Sequence, residues 1–129
     1  MDSVKKREIR NIIDYFNKTG PIWKSSASFH YGHIHLEKRK RRKEIPNDWT
    51  LKDYNNLILK VMNDRENDIH IYVMNDFFQE YFVFDDGKWM VIVGENKIME
   101  TCMFRKSTSS YLRRENGYTY LGRVREVFE

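Results

Sequence analysis

The sequence is poor in cysteine, proline and glycine, and it contains no long hydrophobic run. Among 129 residues there are one cysteine, two prolines and six glycines. The single cysteine, Cys102, excludes an internal disulfide and a cysteine-rich zinc knuckle. So few prolines and glycines exclude collagen-like and proline-rich repeats. Because no stretch of 18 apolar residues is present, we expect no transmembrane helix, and the N-terminal segment has no apolar core of a secretory signal.

Aromatic residues, in contrast, are abundant and indicate a folded chain. They make up 15% of the sequence, with eight tyrosines, eight phenylalanines and three tryptophans. Disordered chains are poor in aromatic residues and bury too little apolar surface to fold. The length is that of one domain. We therefore expect a single compact soluble domain over residues 1–129, made in a reducing compartment, in which residues 1–27 form an N-terminal helical element.

Basic residues are concentrated at the two ends of the sequence. Residues 1–50 carry 12 Lys and Arg against 6 Asp and Glu, residues 51–104 carry 5 against 10, and residues 105–129 carry 6 against 3. The densest stretch, residues 37–43, has six cations and one anion. Like charges at this density repel one another, and a polyanion would offset them through counterion release. The alternative is a solvated basic loop without a ligand.

The hydrophobic pattern of the first half predicts three helices. Apolar residues at helical spacing predict the first over 4–17, with Ser3 as its N-cap. A second helix is expected over 28–43, ending in the basic run. Thr50, followed three residues later by an acidic residue, is a capping-box signal for a third helix over 51–62.

The pattern of the second half changes to that of β-strands. Apolar residues alternate in 69–73, aromatic and β-branched residues fill 80–84, and 88–93 and 98–104 are further apolar stretches between turn signals. Residues 119–128 are expected to form a last strand or an irregular tail. Helices followed by a run of strands are typical of the α+β class. We expect N-terminal helices packed on one face of a C-terminal antiparallel β-sheet of about four strands.

Three of the four histidines, His30, His33 and His35, lie within six residues ahead of the basic run. Histidine changes charge near neutral pH and suits proton transfer. Metal-free RNA cleavage needs one group to take the 2′-hydroxyl proton, one to protonate the leaving 5′-oxygen, and cations around the phosphorane. Each histidine alone is more often a packing residue. Because no carboxylate or cysteine at ligand spacing completes a metal site, we expect no metal.

Hydroxyl-bearing and basic residues follow one another late in the chain. Thr101 lies on a predicted strand that would present its hydroxyl on the open face of the sheet. After it, residues 105–114 combine cations with serines and a tyrosine, a set that can hold a phosphate through charge-assisted hydrogen bonds. The alternatives are an ordinary strand residue and a solvated loop.

Short motifs along residues 29–112 resemble those of the barnase/EndoU/colicin/RelE-like (BECR) ribonucleases, especially the phage-associated and polymorphic-toxin branches. They are a Gly-His-Ile element at 32–34 ahead of a basic helix, a Thr-capped helix, a Trp-Met-Val-Ile-Val strand, a Glu-Thr pair before an aromatic residue, and a Ser-Ser-Tyr-Leu segment at 109–112. The resemblance implies that residues 28–129 form a nuclease-like core.

The resemblance also implies roles for individual residues. It assigns proton transfer to His33, with His35 as a second proton-transfer group. It also places Lys38 and Thr101 in the catalytic site. Many relatives have a second histidine where this chain has Lys38. The resemblance implies that Lys38 or Lys40 contacts the phosphate, with Ser109 and Tyr111 as further additions. The basic stretches of the sequence add Arg41, Arg105 and Lys106 to the residues expected to bind RNA and its phosphates.

The implied function is that of a metal-independent endoribonuclease toxin, a hydrolase without a cofactor that cleaves tRNA or other structured RNA through its 2′-hydroxyl. A free intracellular ribonuclease is toxic, so the resemblance implies an acidic immunity or antitoxin partner. We expect action in the cytoplasm, with delivery by another system as one route there, and no membrane partner. The alternatives are a non-catalytic phage-type protein that binds nucleic acid or inhibits through the same basic surface, and a small protein-interaction domain.

Overall fold

The fold combines helices from the first half of the chain with an antiparallel sheet from the second half. A computed structural model describes residues 1–73, 79–105 and 114–129. In chain order the elements within these ranges are α1 (Ser3–Thr19), α2 (Tyr31–Arg41), α3 (Leu51–Asn63), β1 (Asp68–Val73), β2 (Glu80–Asp85), β3 (Trp89–Gly94), β4 (Met99–Phe104), a 3-10 turn (Arg114–Asn116), β5 (Tyr118–Arg123) and α4 (Val124–Val127). The predicted α+β class is confirmed, and the sheet has five strands where about four were expected.

The strands lie in the order β4-β3-β2-β1-β5, with every neighbouring pair antiparallel. The additional strand is β5, in the region where the sequence allowed a strand or an irregular tail. It pairs with β1, so β4 is the opposite edge of the sheet. The chain ahead of α2 lies along this edge: Trp23 forms a parallel bridge with Met99, and the Met99 amide donates a hydrogen bond to the Ile22 carbonyl at 2.7 Å.

The helix ends follow from local hydrogen bonds. Asp2, rather than the predicted Ser3, caps α1, because its carboxylate accepts from the Lys5 amide at 2.8 Å. Thr50 and Asp53 form the predicted capping box at the start of α3. Helix α2 is shorter than predicted because His30 caps it: the His30 Nδ1 accepts from the His33 amide at 3.4 Å.

The main hydrophobic core lies between the helices and one face of the sheet. Its members from α1 are Ile9, Ile12, Ile13 and Phe16, and the sheet contributes Phe82, Phe84, Val91, Val93 and Cys102. The Tyr54 hydroxyl of α3 donates to the Cys102 carbonyl inside this core. Burial raises the pKa of the Cys102 thiol, so this residue is an unreactive packing group.

The other face of the sheet is called the tyrosine face here. The strand register places Tyr72 opposite both Tyr81 and Tyr118, and it places Ile92 opposite Thr101. A second, smaller apolar cluster lies on this face, formed by Val83, Met90, Ile92 and Tyr118. Within the described ranges, no helix has the length and apolar composition needed to cross a bilayer.

Candidate functional site

The two histidines at the start of α2 point in nearly opposite directions. Residues two positions apart on a helix are turned by about 200° around its axis, so they do not share a face. His33 is exposed and its ring contacts that of His30, with the centroids 4.8 Å apart. His35 is half-buried and faces the β4 edge of the sheet. The structure therefore separates the two proposed proton-transfer groups.

His35, and not His33, meets the hydroxyl group of β4. The His35 Nδ1 lies 3.3 Å from the Thr101 Oγ1, although the two residues are 66 positions apart in the chain. On its other side the imidazole stacks on the Trp23 indole, with the ring centroids 5.4 Å apart. The indole is itself held by a hydrogen bond from its Nε1 to the Asn55 Oδ1 at 2.9 Å. These contacts fix the position of the ring.

Gly32 explains how α2 comes so close to Trp23. A Cβ atom at this position would lie 2.8 Å from the Trp23 indole and 2.8 Å from the His30 ring. Real Cβ atoms do not approach that closely, so any other residue would push the helix away from the indole. The glycine of the Gly-His-Ile element therefore has a packing role that places His35 against Trp23.

A β-bulge shapes the strand that carries the hydroxyl. The pairing of β3 with β4 shifts between Ile92, opposite Thr101, and Val93, opposite Met99, which leaves Glu100 as the extra residue. A bulge re-aims the side chains around it. As a result, Glu100 and Thr101 line one hollow together.

The imidazole pocket, a cavity of about 360 Å³, lies at this edge of the sheet. Its lining residues are Lys24, Tyr31, His35, Gln79, Tyr81, Asn96, Ile98, Met99 and Glu100. Tyr31 lies one helical turn before His35, on the same face of α2. The Lys24 Nζ lies 5.7 Å from the centre of the Tyr31 ring. The pocket thus brings together a cation, a phenol, an imidazole and a carboxylate.

The charge state of His35 follows from its surroundings. Burial lowers the pKa of His35 to about 4, and the positive charges of Arg39 and Lys38 act in the same direction. The imidazole is therefore neutral at physiological pH and has a lone pair available as a proton acceptor. When Nδ1–H donates to the Thr101 oxygen, the free lone pair is on Nε2.

The cations of α2 divide into paired and unpaired groups. Arg39, only 2% exposed, pairs with Glu44 at 3.0 Å, and Lys40 pairs with Glu37 at 3.4 Å. Lys38 lies near enough to His35 to lower its pKa. Cations at the C-terminal end of a helix also interact favourably with its dipole. Part of the basic run therefore stabilises α2 itself.

Arg41, together with Arg42 and Lys43, is exposed and forms no ion pair within the described residues. Arg105, predicted to bind phosphate, forms an ion pair with a carboxylate: its guanidinium lies 2.7 Å from Asp85, which is 3% exposed. The remaining predicted phosphate-binding residues, Lys106, Ser109 and Tyr111, lie outside the described residues.

Sequence reasoning did not single out four side chains of the site. Trp23 and Lys24 belong to a stretch without hydrophobic periodicity, so no sequence signal marked them. Tyr31 directly precedes the Gly-His-Ile element and Glu100 belongs to the Glu-Thr pair, and these two motifs are the signals that could have found them.

A group of three carboxylates includes no residue that lines the imidazole pocket. One oxygen each of Glu8, Glu80 and Glu95 lies within 4.8 Å of the others, which is close enough to hold a cation. The Lys5 ammonium forms ion pairs with both Glu8 and Glu80 and so already offsets part of this charge. Within the described residues, no histidine or cysteine adds to the group.

A comparison of the chain with protein-family models, with curated proteins and with solved structures finds no match in any of the three. Any function of this chain is therefore inferred from its own geometry. The strongest element of that geometry is the contact between His35 and Thr101 beside the imidazole pocket.

Proposed function

We propose that the protein is a metal-independent endoribonuclease whose proton acceptor is His35. The observation that carries this proposal is the 3.3 Å contact between the His35 Nδ1 and the Thr101 Oγ1 at the imidazole pocket. This contact joins a histidine next to the Gly-His-Ile element to the threonine of the Glu-Thr pair. The resemblance to BECR ribonucleases assigns proton transfer to the first element, and it assigns to the second the hydroxyl that completes the site. The role first assigned to His33 passes to His35.

The first step of the proposed reaction removes a proton from the 2′-hydroxyl of RNA. The neutral imidazole of His35 accepts it while Thr101 holds the ring at Nδ1. The negative charge of the phosphate bound beside the ring raises the low pKa of His35 toward the value that a general base needs. The 2′-oxygen then bonds to phosphorus while the bond from phosphorus to the 5′-oxygen breaks. The products are a 2′,3′-cyclic phosphate and a 5′-hydroxyl.

The other pocket residues provide the remaining requirements. The phosphorane carries more negative charge than the starting diester, and the ammonium of Lys24 lies in the pocket to stabilise it. Lys38 adds positive charge beside His35. Tyr31, one turn from His35 on the same helix face, donates the proton that the leaving 5′-oxygen needs.

The proposed biological setting follows from this chemistry. The substrate class is tRNA or another structured RNA, the place of action is the cytoplasm, and the protein needs neither a metal nor a cofactor. An acidic immunity or antitoxin protein is the proposed partner, because it would complement the cations around the pocket and protect the producing cell.

A second proposed function is non-catalytic binding of nucleic acid. It is favoured by Arg41, Arg42 and Lys43, which are exposed and form no ion pair in the part of the chain that the structure describes. Such cations bind phosphates without cleaving them, and the affinity falls steeply with salt concentration.

Purified protein incubated with RNA in EDTA tests both functions. The first predicts cleavage with cyclic-phosphate ends, and a loss of about 10²–10⁴-fold in rate for His35→Ala, the range typical of a general base. His33→Ala is the matched control, since it removes an exposed histidine of the same helix, and it should cleave at the rate of the unmodified protein. Intact RNA that shifts in a gel would overturn the first function and support the second. Equal losses in both variants would contradict the assignment to His35.

A further inference from the structure

A second hollow lies on the tyrosine face and is called the tyrosine pocket here. It has a volume of about 250 Å³. Three of its walls are the rings of Tyr72, Tyr81 and Tyr118, and apolar side chains of Ile92 and Met103 complete the lining together with polar residues of β4. A hollow walled by aromatic rings and apolar groups is suited to a flat apolar ligand.

The rings are held by the pairing of three neighbouring strands. Tyr72 of β1 is opposite Tyr81 of β2 and Tyr118 of β5. The Tyr72 and Tyr118 rings stack with centroids 4.6 Å apart, and those of Tyr72 and Tyr81 are 6.3 Å apart. Tyr118 is only 7% exposed, whereas Tyr81 is half-buried and has surface available to a ligand.

The tyrosine pocket adjoins the imidazole pocket. Tyr81 and Glu100 line both hollows. Thr101 lines the tyrosine pocket, and its Oγ1 is the atom that contacts the His35 Nδ1 at 3.3 Å. A group bound among the tyrosines would therefore sit next to the atoms that carry the proposed reaction.

We propose that the tyrosine pocket binds one unpaired RNA base that carries an exocyclic amino group. The inference rests on the proposed function, since it takes RNA to be the ligand. Any RNA base can stack on an aromatic ring, because every base has a flat π face, and the half-buried ring of Tyr81 is available for this contact. The carboxylate of Glu100 only accepts hydrogen bonds, so it favours the amino groups of adenine, cytosine and guanine. Uracil has no amino group, and its one donor on this edge, N3–H, lies between two carbonyl oxygens that the carboxylate repels.

Binding without cleavage separates this inference from the proposed function. The His35→Ala protein is mixed with fluorescently labelled oligoadenylate or oligouridylate of equal length, and the affinity is measured by anisotropy. We expect tighter binding of oligoadenylate. Introducing Tyr81→Leu into the His35→Ala protein should weaken oligoadenylate binding by at least about fivefold, because the loss of one stacked base costs at least about 1 kcal/mol. Tyr81→Phe, which keeps the ring, should bind as before.

Two further variants control this experiment. Tyr15→Leu removes an exposed tyrosine of α1, outside both pockets, and should leave the affinity unchanged. Glu100→Gln changes an exposed side chain without disturbing the core, and it should reduce the preference for oligoadenylate over oligouridylate. Because Glu100→Gln does not threaten folding, it tests the inference even if Tyr81→Leu unfolds.

Equal affinity for the two oligonucleotides, or no effect of Tyr81→Leu in a folded protein, would overturn the base pocket even if the unmodified protein cleaves RNA. Binding that depends on Tyr81 and Glu100, in a protein that never cleaves RNA, would support the pocket and overturn the ribonuclease.

Discussion

The two faces of the sheet differ in the side chains that they present, although the same strands build both. Toward the helices, Phe82, Phe84 and Val91 are completely buried in the main core. Toward the other side, the alternate residues of the same strands include Tyr81 and Asp85. Successive residues of a strand point to opposite faces, so one short strand can stabilise the fold and also line a binding site.

The largest difference between the faces should be found in stability. Phe84→Ala removes a completely buried ring from the core face, and we expect it to lower the free energy of unfolding by about 3–5 kcal/mol. Tyr120→Ala, on the tyrosine face, truncates a ring that is 54% exposed and should cost about 1 kcal/mol or less. Urea unfolding of both variants checks this. Equal losses would show that the two faces contribute alike.

Asp85 is an exception on the tyrosine face, because its carboxylate is buried against Arg105. Asp85→Ala leaves the guanidinium without its partner and should cost about 2–4 kcal/mol of unfolding free energy. Replacing both residues together, with Asp85→Leu and Arg105→Met, should recover part of the loss, because no charge is then left unpaired. A loss below about 0.5 kcal/mol for Asp85→Ala would mean that the ion pair contributes nothing measurable.

Stability should also depend on pH through His35. Its folded pKa of about 4 lies below the ordinary value of 6.5, so between these values the unfolded state binds more protons and stability falls as the pH falls. Because the ring is only half-buried, solvent screening reduces the full linkage effect, and unfolding at about pH 7 and about pH 4.5 should show roughly 1–2 kcal/mol more loss in the unmodified protein than in His35→Gln. Burial also lowers the pKa of His70, so the variant should keep some pH dependence. An identical pH dependence in both proteins would contradict the low pKa of His35.

A small effect on stability is expected for Thr101→Val. The change removes one partly buried hydrogen bond and keeps the side-chain shape, so we expect a loss of about 0.5–1 kcal/mol in unfolding free energy. Cleavage should fall further than stability, because the imidazole loses the group that fixes its orientation. Unchanged cleavage would contradict a catalytic role for the contact between His35 and Thr101, on which the proposed function rests.

Most secondary structure followed from local signals in the sequence. The capping box at Thr50 and the apolar stripe of α1 required only short-range hydrogen bonds and helical spacing. The length of α2 did not follow from these signals, because its start depends on His30 as the capping side chain. Strand β5 was ambiguous because its pairing with β1 spans a large part of the chain.

The sequence by itself determined the α+β class, the order of helices before strands, and the presence of histidines and hydroxyl groups suited to phosphate chemistry. Only the tertiary structure decided which histidine meets Thr101. Helical geometry turns His33 and His35 away from each other, and the packing of Gly32 against Trp23 determines which face of α2 contacts β4. The tertiary structure likewise decided that Arg105 is held by Asp85 and that Lys24 lines the pocket. Contacts between distant segments depend on how whole helices and strands pack against one another, and local sequence patterns do not specify that packing.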